Sequence, residues 1–132
     1  MVKLTDEIKE SLTGTTVFFL ATSSKDSRPN VVPIGAFKLL DDETALISDQ
    51  FFSKTIKNLK ENPQVAVSWW GSKGGFQLKG PVTIHTSGAI FEQDVAWVKT
   101  IRADLMPKSA VVMKITDIYQ LKPGADAGKK LL

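Results

Sequence analysis

The feature that most restricts this chain is the spacing of its β-prone runs. From residue 15 to residue 121, short stretches rich in valine, isoleucine, threonine and aromatics alternate with tight-turn residues. Such runs occupy residues 15–22, 30–40, 44–48, 65–70, 76–86 and 109–121. The turn Ser23-Ser24-Lys25-Asp26-Ser27-Arg28-Pro29 and the acidic reversal Asp41-Asp42-Glu43 mark hairpins. Helical spacing is confined to three places. Residues 1–11 are charged, with Leu4, Ile8 and Leu12 on one face; residues 53–62 carry Ile56 and Leu59 and stop at Pro63; residues 87–102 repeat Phe91, Val95 and Val98 beside a stripe of Ile90, Trp97 and Ile101, with Pro107 as their limit. A parallel sheet would need a crossover helix after nearly every strand, and this chain has one long helical insertion. The expected fold is therefore mainly β, a six-stranded antiparallel Greek-key split barrel with flanking helices. It forms one domain over residues 1–132, comprising a helix at 1–13, the barrel at 14–121 and a loosely ordered polar tail at 122–132.

A barrel this small fills its interior with side chains, so any ligand larger than water lies on the outer surface or between two copies. That points to a homodimer. The 132 residues suit a single core. The net charge of +3 comes mainly from dispersed lysines, which fits an anionic ligand better than nucleic acid, whose binding needs a clustered basic face. With no cysteine and one histidine, the chain has no disulfide framework and is poorly supplied for a metal site, so redox chemistry must come from a bound cofactor. The start is too charged for a signal peptide, and the longest apolar run, residues 17–21, falls far short of the roughly 20 residues that span a bilayer. A cytoplasmic protein without membrane contact is expected.

Three features carry candidate chemistry. Ser53-Lys54-Thr55 stands where a strand gives way to a helix; a serine cap, outward-pointing first-turn amides and the Lys54 charge together suit a phosphate. Thr55 adds a hydroxyl and Asn58 projects from the same side. Taken alone, the same residues more readily suit a capped surface helix with a solvated lysine. In Val31-Val32-Pro33-Ile34-Gly35, proline and glycine disrupt a paired ladder, freeing backbone groups for the edge of a planar heterocycle, with Ser48-Asp49-Gln50 supplying more. An edge strand with a bulge gives the same pattern. Trp69-Trp70, beside Gly71, Gly74 and Gly75, reads as a buried aromatic pair next to a flexible loop rather than as indoles flanking a ring. Gln77 and Lys79 face away from the apolar stripe of their strand, toward solvent or a shared interface. His85 has no serine, cysteine or carboxylate at triad or metal spacing and reads as structural. No catalytic residue and no metal ligand is assigned.

The order of these features resembles the FMN-binding split barrels related to pyridoxamine 5'-phosphate oxidase. The resemblance runs from Phe18-Phe19-Leu20-Ala21-Thr22 through Pro29-Asn30-Val31-Val32-Pro33-Ile34-Gly35 and Ser53-Lys54-Thr55-Ile56-Lys57-Asn58-Leu59 to Asn62-Pro63-Gln64-Val65-Ala66-Val67. Gly75-Phe76-Gln77-Leu78-Lys79-Gly80 and the last strand are similar to the small bacterial and archaeal FMN-binding proteins. The resemblance implies non-covalent FMN at a dimer interface. Lys54, Thr55 and Ser53 would hold the phosphate, with Asn58 in support; the backbone of Val32, Pro33, Ile34 and Gly35 and of Ser48, Asp49 and Gln50 would meet the ring edge; Gln77 would reach the flavin region. Leu121 and aromatics such as Trp97 are candidates for covering the flavin from the second subunit. The chain lacks the oxidase's extra segments and an arginine–histidine cluster for a second, vitamin-derived phosphate, which argues against authentic pyridoxamine phosphate oxidation. An FMN-dependent oxidoreductase or electron carrier, with a possible redox partner protein, is the favoured expectation. The alternatives are flavin storage or delivery without turnover, and a split barrel holding a deazaflavin or haem.

Overall fold

The computed structural model describes residues 4–72 and 74–131. The elements are α1 (Asp6–Thr13), β1 (Phe18–Ser23), β2 (Pro29–Ile34), β3 (Phe37–Leu39), β4 (Thr44–Asp49), α2 (Lys54–Glu61), β5 (Gln64–Ser68), β6 (Phe76–His85), α3 (Ala89–Ile101), β7 (Ser109–Lys114) and β8 (Asp117–Gln120). Every strand pair is antiparallel. The sheet runs β2-β1-β5-β6-β7-β4-β3, with β8 also on β6, and curls into a half-barrel flanked by the helices. Its two end strands, β2 and β3, are consecutive in sequence. The two residues between them, Gly35 and Ala36, therefore carry the chain across the split.

Among the described residues the expected six strands are corrected to eight, because two of the segments change partners midway. At Gly35-Ala36 the chain leaves β1 for β4: the Ala36 carbonyl accepts from the Ser48 N–H at 3.1 Å. At Ile115-Thr116, the Ile115 N–H donates to Glu43 O at 2.8 Å while the Thr116 N–H donates to Lys79 O at 2.9 Å, so β7 ends on β4 and β8 begins on β6. Continuous β character in the sequence does not reveal a change of partner.

Alternate residues face inward, as a period of two requires. Phe18 and Leu20, Val65 and Val67, Leu78 and Val82, Val111 and Met113, and Ala45 and Ile47 make the core. Phe18 touches Phe37 from the opposite half at 4.8 Å between ring centroids, and Trp69 meets Phe18 at 5.8 Å. Thr5 caps α1 by accepting from the Ile8 N–H, and Leu4, Ile8 and Leu12 pack inward as their spacing predicts. The helix is pinned where the buried Ser11 hydroxyl accepts the Trp69 indole N–H at 2.9 Å. The tryptophans are not a buried pair: Trp69 is 1% exposed and Trp70 58%, as expected of neighbours on opposite faces of an extended chain. The expected helical start at residues 1–3 and the last tail residue, 132, lie outside the described residues. The rest of the tail lies beside the sheet. Its backbone returns along β8, with Gly128 N–H to Gln120 O at 2.7 Å and Leu131 N–H to Ile118 O at 2.7 Å, covering an otherwise open edge. No helix among the described residues is long and apolar enough to cross a membrane.

One strand serves both halves of the barrel. The first half of β6 pairs with β5 and β8, and its second half, from Val82, pairs with β7. The corner is Gly80-Pro81. There the chain passes so close to β7 that a Cβ on Gly80 would stand 1.7 Å from the Lys114 carbonyl oxygen. Backbone, not a flexible side chain, blocks the space. Gly80→Ala is therefore expected to destabilise the protein by at least about 3 kcal/mol, at or beyond the upper end of ordinary overpacking. Urea unfolding checks this, and an unchanged midpoint would contradict the close approach.

Candidate functional site

Two cavities open on either side of β2. The first, about 290 Å³, lies at the split, between the β2–β3 link, the segment after β4 and the end of α3. Val32, Pro33, Ile34 and Gly35 form one wall and Ser48 and Gln50 another, with Phe51, Phe52, Ile101, Arg102 and Leu105 completing it. The second, about 440 Å³, lies between the β1–β2 turn and α2. Lys25, Arg28, Lys54 and Lys57 line it, set against the carboxylates of Asp26 and Glu61, and Asn58 forms part of its wall. β2 borders both cavities, Pro29 and Asn30 facing the charged one and Val32 onward the apolar one.

A polar knot fixes α2 beside β2. Asn30 Nδ2 donates to Thr22 Oγ1 at 3.2 Å and to Thr55 Oγ1 at 3.1 Å, and Asn58 Nδ2 donates to Thr22 Oγ1 at 3.0 Å. Thr55 and Asn58 are thus buried positioning groups, holding the turn that carries Lys54. The expected serine cap is absent. Ser53 has ψ −82° rather than the extended geometry a cap requires, and its side chain bonds to no helix amide. The first-turn N–H groups of α2 therefore have no capping oxygen from Ser53, and Lys54 opens the same turn.

Three of the expected residues are used differently from a ligand contact. The Asp49 side chain is buried away from the cavity, accepting from the Phe52 N–H at 3.0 Å and from the Ser109 hydroxyl at 2.9 Å. It closes the loop that presents Gln50 and Phe51. Gln50 turns back, its Nε2 donating to Ser48 Oγ at 2.6 Å. Gln77 lines neither cavity; on β6 it pairs with Ser68 on one side and Tyr119 on the other. By register it shares the sheet's outer face with Ser68, Phe19 and Pro33, a row leading across to the split. Val31, 63% exposed, and Phe19 are apolar on that face.

Sequence reasoning missed Phe51, Phe52, Arg102 and Leu105, which come together only through the fold. Phe51, 80% exposed at the cavity mouth, gave one signal, an aromatic just before a helix start. It also missed Asp94. The face that α3 turns to the sheet centres on Asp94 and Val98, with Phe91 and Val95 half-buried. Asp94 is 0% exposed and, among the described residues, neither carboxylate oxygen has a hydrogen-bond partner of normal geometry. Burial pushes its pKa up to about 6, against opposing pulls from the nearby Ser48 hydroxyl and the Lys38 charge. Lys38 itself lies over the Trp97 ring at 4.8 Å. Trp97 thus packs against β3 of its own chain. His85 bonds to Thr83 at 2.8 Å and borders neither cavity. Among the described residues no three histidine, cysteine or acidic side chains lie together as a metal site would need.

The family profile described as Pyridoxamine 5'-phosphate oxidase matches residues 4–122. An uncharacterised protein of Methanocaldococcus jannaschii is 46% identical over 132 residues, covering 98% of this chain and 88% of its own. Among solved structures, HupZ of Group A Streptococcus superposes with a TM-score of 0.82 at 25% identity, covering 95% of this chain and 99% of its own. An FMN-binding protein from Syntrophomonas wolfei gives 0.73 at 16% identity over 90% and 88% of the two chains. The haem storage protein HutZ from Vibrio cholerae gives 0.67 at 17% identity over 90% and 95%. At identities this low the last two speak for the fold alone.

The buried Asp94 has a measurable consequence. Its pKa is raised from 3.8 in the unfolded chain to about 6, so the folded protein holds a proton that the unfolded chain has lost between those values. Stability therefore falls as pH rises through that window and stays lower above it. Asp94→Asn is expected to raise stability by on the order of 2 kcal/mol at about pH 8, the gain vanishing near pH 4. Urea midpoints across pH check this; equal midpoints at pH 8 would contradict it.

Proposed function

The chain belongs to the pyridoxamine 5'-phosphate oxidase family, and we propose that it binds FMN non-covalently at the split of its half-barrel and works as an oxidoreductase or electron-transfer protein. The observation that carries this reading is the pairing of an apolar cavity holding a few polar groups with a cation-rich one, both bordered by a single strand. The apolar cavity alone, at about 290 Å³, is at the lower limit of the roughly 300–1,000 Å³ that enclose a ligand of this class. A ring with a phosphorylated tail makes use of both.

In this reading the Lys54 ammonium, the Ser53 hydroxyl and the first-turn amides of α2 hold the phosphate. Thr55 and Asn58 act mainly by anchoring that turn through Asn30 and Thr22. The backbone of Val32 to Gly35 and the Ser48–Gln50 wall meet the polar edge of the ring, while Phe51, Phe52 and Leu105 keep water from its face. Asp49 contributes through the loop it closes. When bound, the flavin supplies the redox chemistry, and the chain supplies position, shielding and local charge. Haem is less suited. Among the described residues neither cavity is lined by histidine, cysteine, methionine or tyrosine, the side chains that ligate haem iron.

We also propose a homodimer formed through the sheet face that bears Phe19, Val31 and Pro33. An exposed apolar face beside a cavity suits burial against a second copy, which would also close the cavity mouth and bring the partner's Gln77 face toward it. A physiological redox partner and an intracellular location belong to the same proposal.

Lys54→Ala is expected to weaken FMN binding by about 1.5–3 kcal/mol, roughly ten- to 150-fold, with the unfolding midpoint unchanged. Quenching of flavin fluorescence measures it; a folded variant with undiminished affinity would remove Lys54 from the phosphate site. Phe19→Glu is expected to convert the dimer to monomer in sedimentation and to weaken FMN binding with it. A variant still dimeric would place the interface elsewhere.

A further inference from the structure

α3 is joined to the barrel more loosely than its length suggests. It gives no side chain to the central core cluster, and of its 13 residues only Asp94 and Val98 are buried. Leu46 and Ala110, the fully buried apolar residues on the outer face of the strands it packs on, β4 and β7, also stand outside that cluster. The helix begins at Gly88, with φ 91° and no side-chain cap. Beyond its other end the chain is fixed at Pro107, which is buried, and at Lys108, whose N–H donates to Asp49 O at 2.8 Å. Between these ends, Ile101, Arg102 and Leu105 wall the apolar cavity.

One of the two buried residues opposes docking. The Asp94 carboxyl is fully buried and, among the described residues, has no hydrogen bond of normal geometry, so the docked helix carries its desolvation cost. An apolar side chain at that position would instead add to the contact. The charged groups around it are engaged elsewhere. Lys38 of β3 lies over the Trp97 ring at 4.8 Å, Lys108 bonds to the Phe52 carbonyl at 2.6 Å, and Lys114 of β7 bonds to Glu43 at 3.0 Å. His85 of β6 is bonded to Thr83, and Asp49 of β4 is a second carboxylate, held by Ser109 and Phe52.

We infer that α3 is the gate of the apolar cavity: it leaves the sheet as a unit while the barrel stays folded, and so opens the wall formed by Ile101, Arg102 and Leu105 to admit and release a ligand. Undocking returns the Asp94 carboxyl to water. Its cost therefore falls on the closed state alone and narrows the free-energy gap to the open one. Asp94 acts as a positioning residue, setting the balance of the gate without lining the cavity. A planar ligand seated against Ile101 and Leu105 makes those contacts only in the closed state, and so draws α3 shut. That this ligand is FMN rests on the reading above; the undocking of α3 does not.

The test is amide hydrogen exchange of the ligand-free protein at about pH 8, followed by mass spectrometry, together with the rate of FMN release. In the wild type the α3 amides are expected to exchange at least about tenfold faster than those of β4 and β7, and with little dependence on low concentrations of urea. Asp94→Leu is expected to slow both α3 exchange and FMN release by about tenfold or more, the usual cost of a buried group left unsatisfied. Asp94→Asn should shift both in the same direction by less, and serves if the leucine variant does not fold. Wild-type α3 amides that exchange in step with β4 and β7, as in global unfolding, overturn the inference. So does α3 exchange that is unchanged in a folded variant, or FMN release that stays at the wild-type rate while α3 exchange slows. If FMN does not bind the wild type, the FMN reading fails and α3 exchange alone decides the inference.

Discussion

The barrel depends on one strand belonging to both of its halves. β6 can leave β5 and β8 for β7 only because Gly80 lets its backbone come against the Lys114 carbonyl, and because Pro81, which lacks an N–H, stands where the ladder changes partner. With β6 as the shared strand, the sheet curls on itself and its two end strands, β2 and β3, come to bound the split. The cavity follows from that closure. Chain continuity across the gap is left to Gly35 and Ala36, and the space beside them is walled by the end of β4 and the end of α3.

That geometry explains how far the sequence could be read. Alternation of apolar and polar residues, turn chemistry and the scarcity of long helices are local signals, and they led to an antiparallel half-barrel with flanking helices. The helical spacing of Leu4, Ile8 and Leu12 was likewise legible, because one face of a short helix is a local property. Changes of strand partner are not local. Residues 30–40 and 109–121 look continuous, and their breaks at Gly35-Ala36 and Ile115-Thr116 are set by which strand offers the next carbonyl. The same holds for the tail, whose path follows the free edge of β8.

The candidate site was legible as positions and much less so as roles. Ser53-Lys54-Thr55 does start a helix beside a charged cavity, yet Ser53 leaves the helix uncapped and Thr55 and Asn58 point into a buried knot with Asn30 and Thr22. A hydroxyl or amide in a sequence shows what it can donate, not which partner reaches it first. Asp49 illustrates the same point: its carboxylate closes a loop through Phe52 and Ser109. Asp94 was invisible for a different reason. Within a pattern of apolar repeats one acid reads as a solvated interruption, and only the packing of α3 on β4 and β7 shows that it lies at the centre of the buried face.

The central claim is that the two cavities flanking β2 together hold FMN. The most direct measurement is the visible absorption spectrum of the freshly purified protein, followed by the mass of whatever chromophore heat releases. The account predicts an oxidised-flavin spectrum and the mass of FMN. A colourless protein that fails to take up added FMN, or a released chromophore with the mass of haem or a deazaflavin, would contradict it.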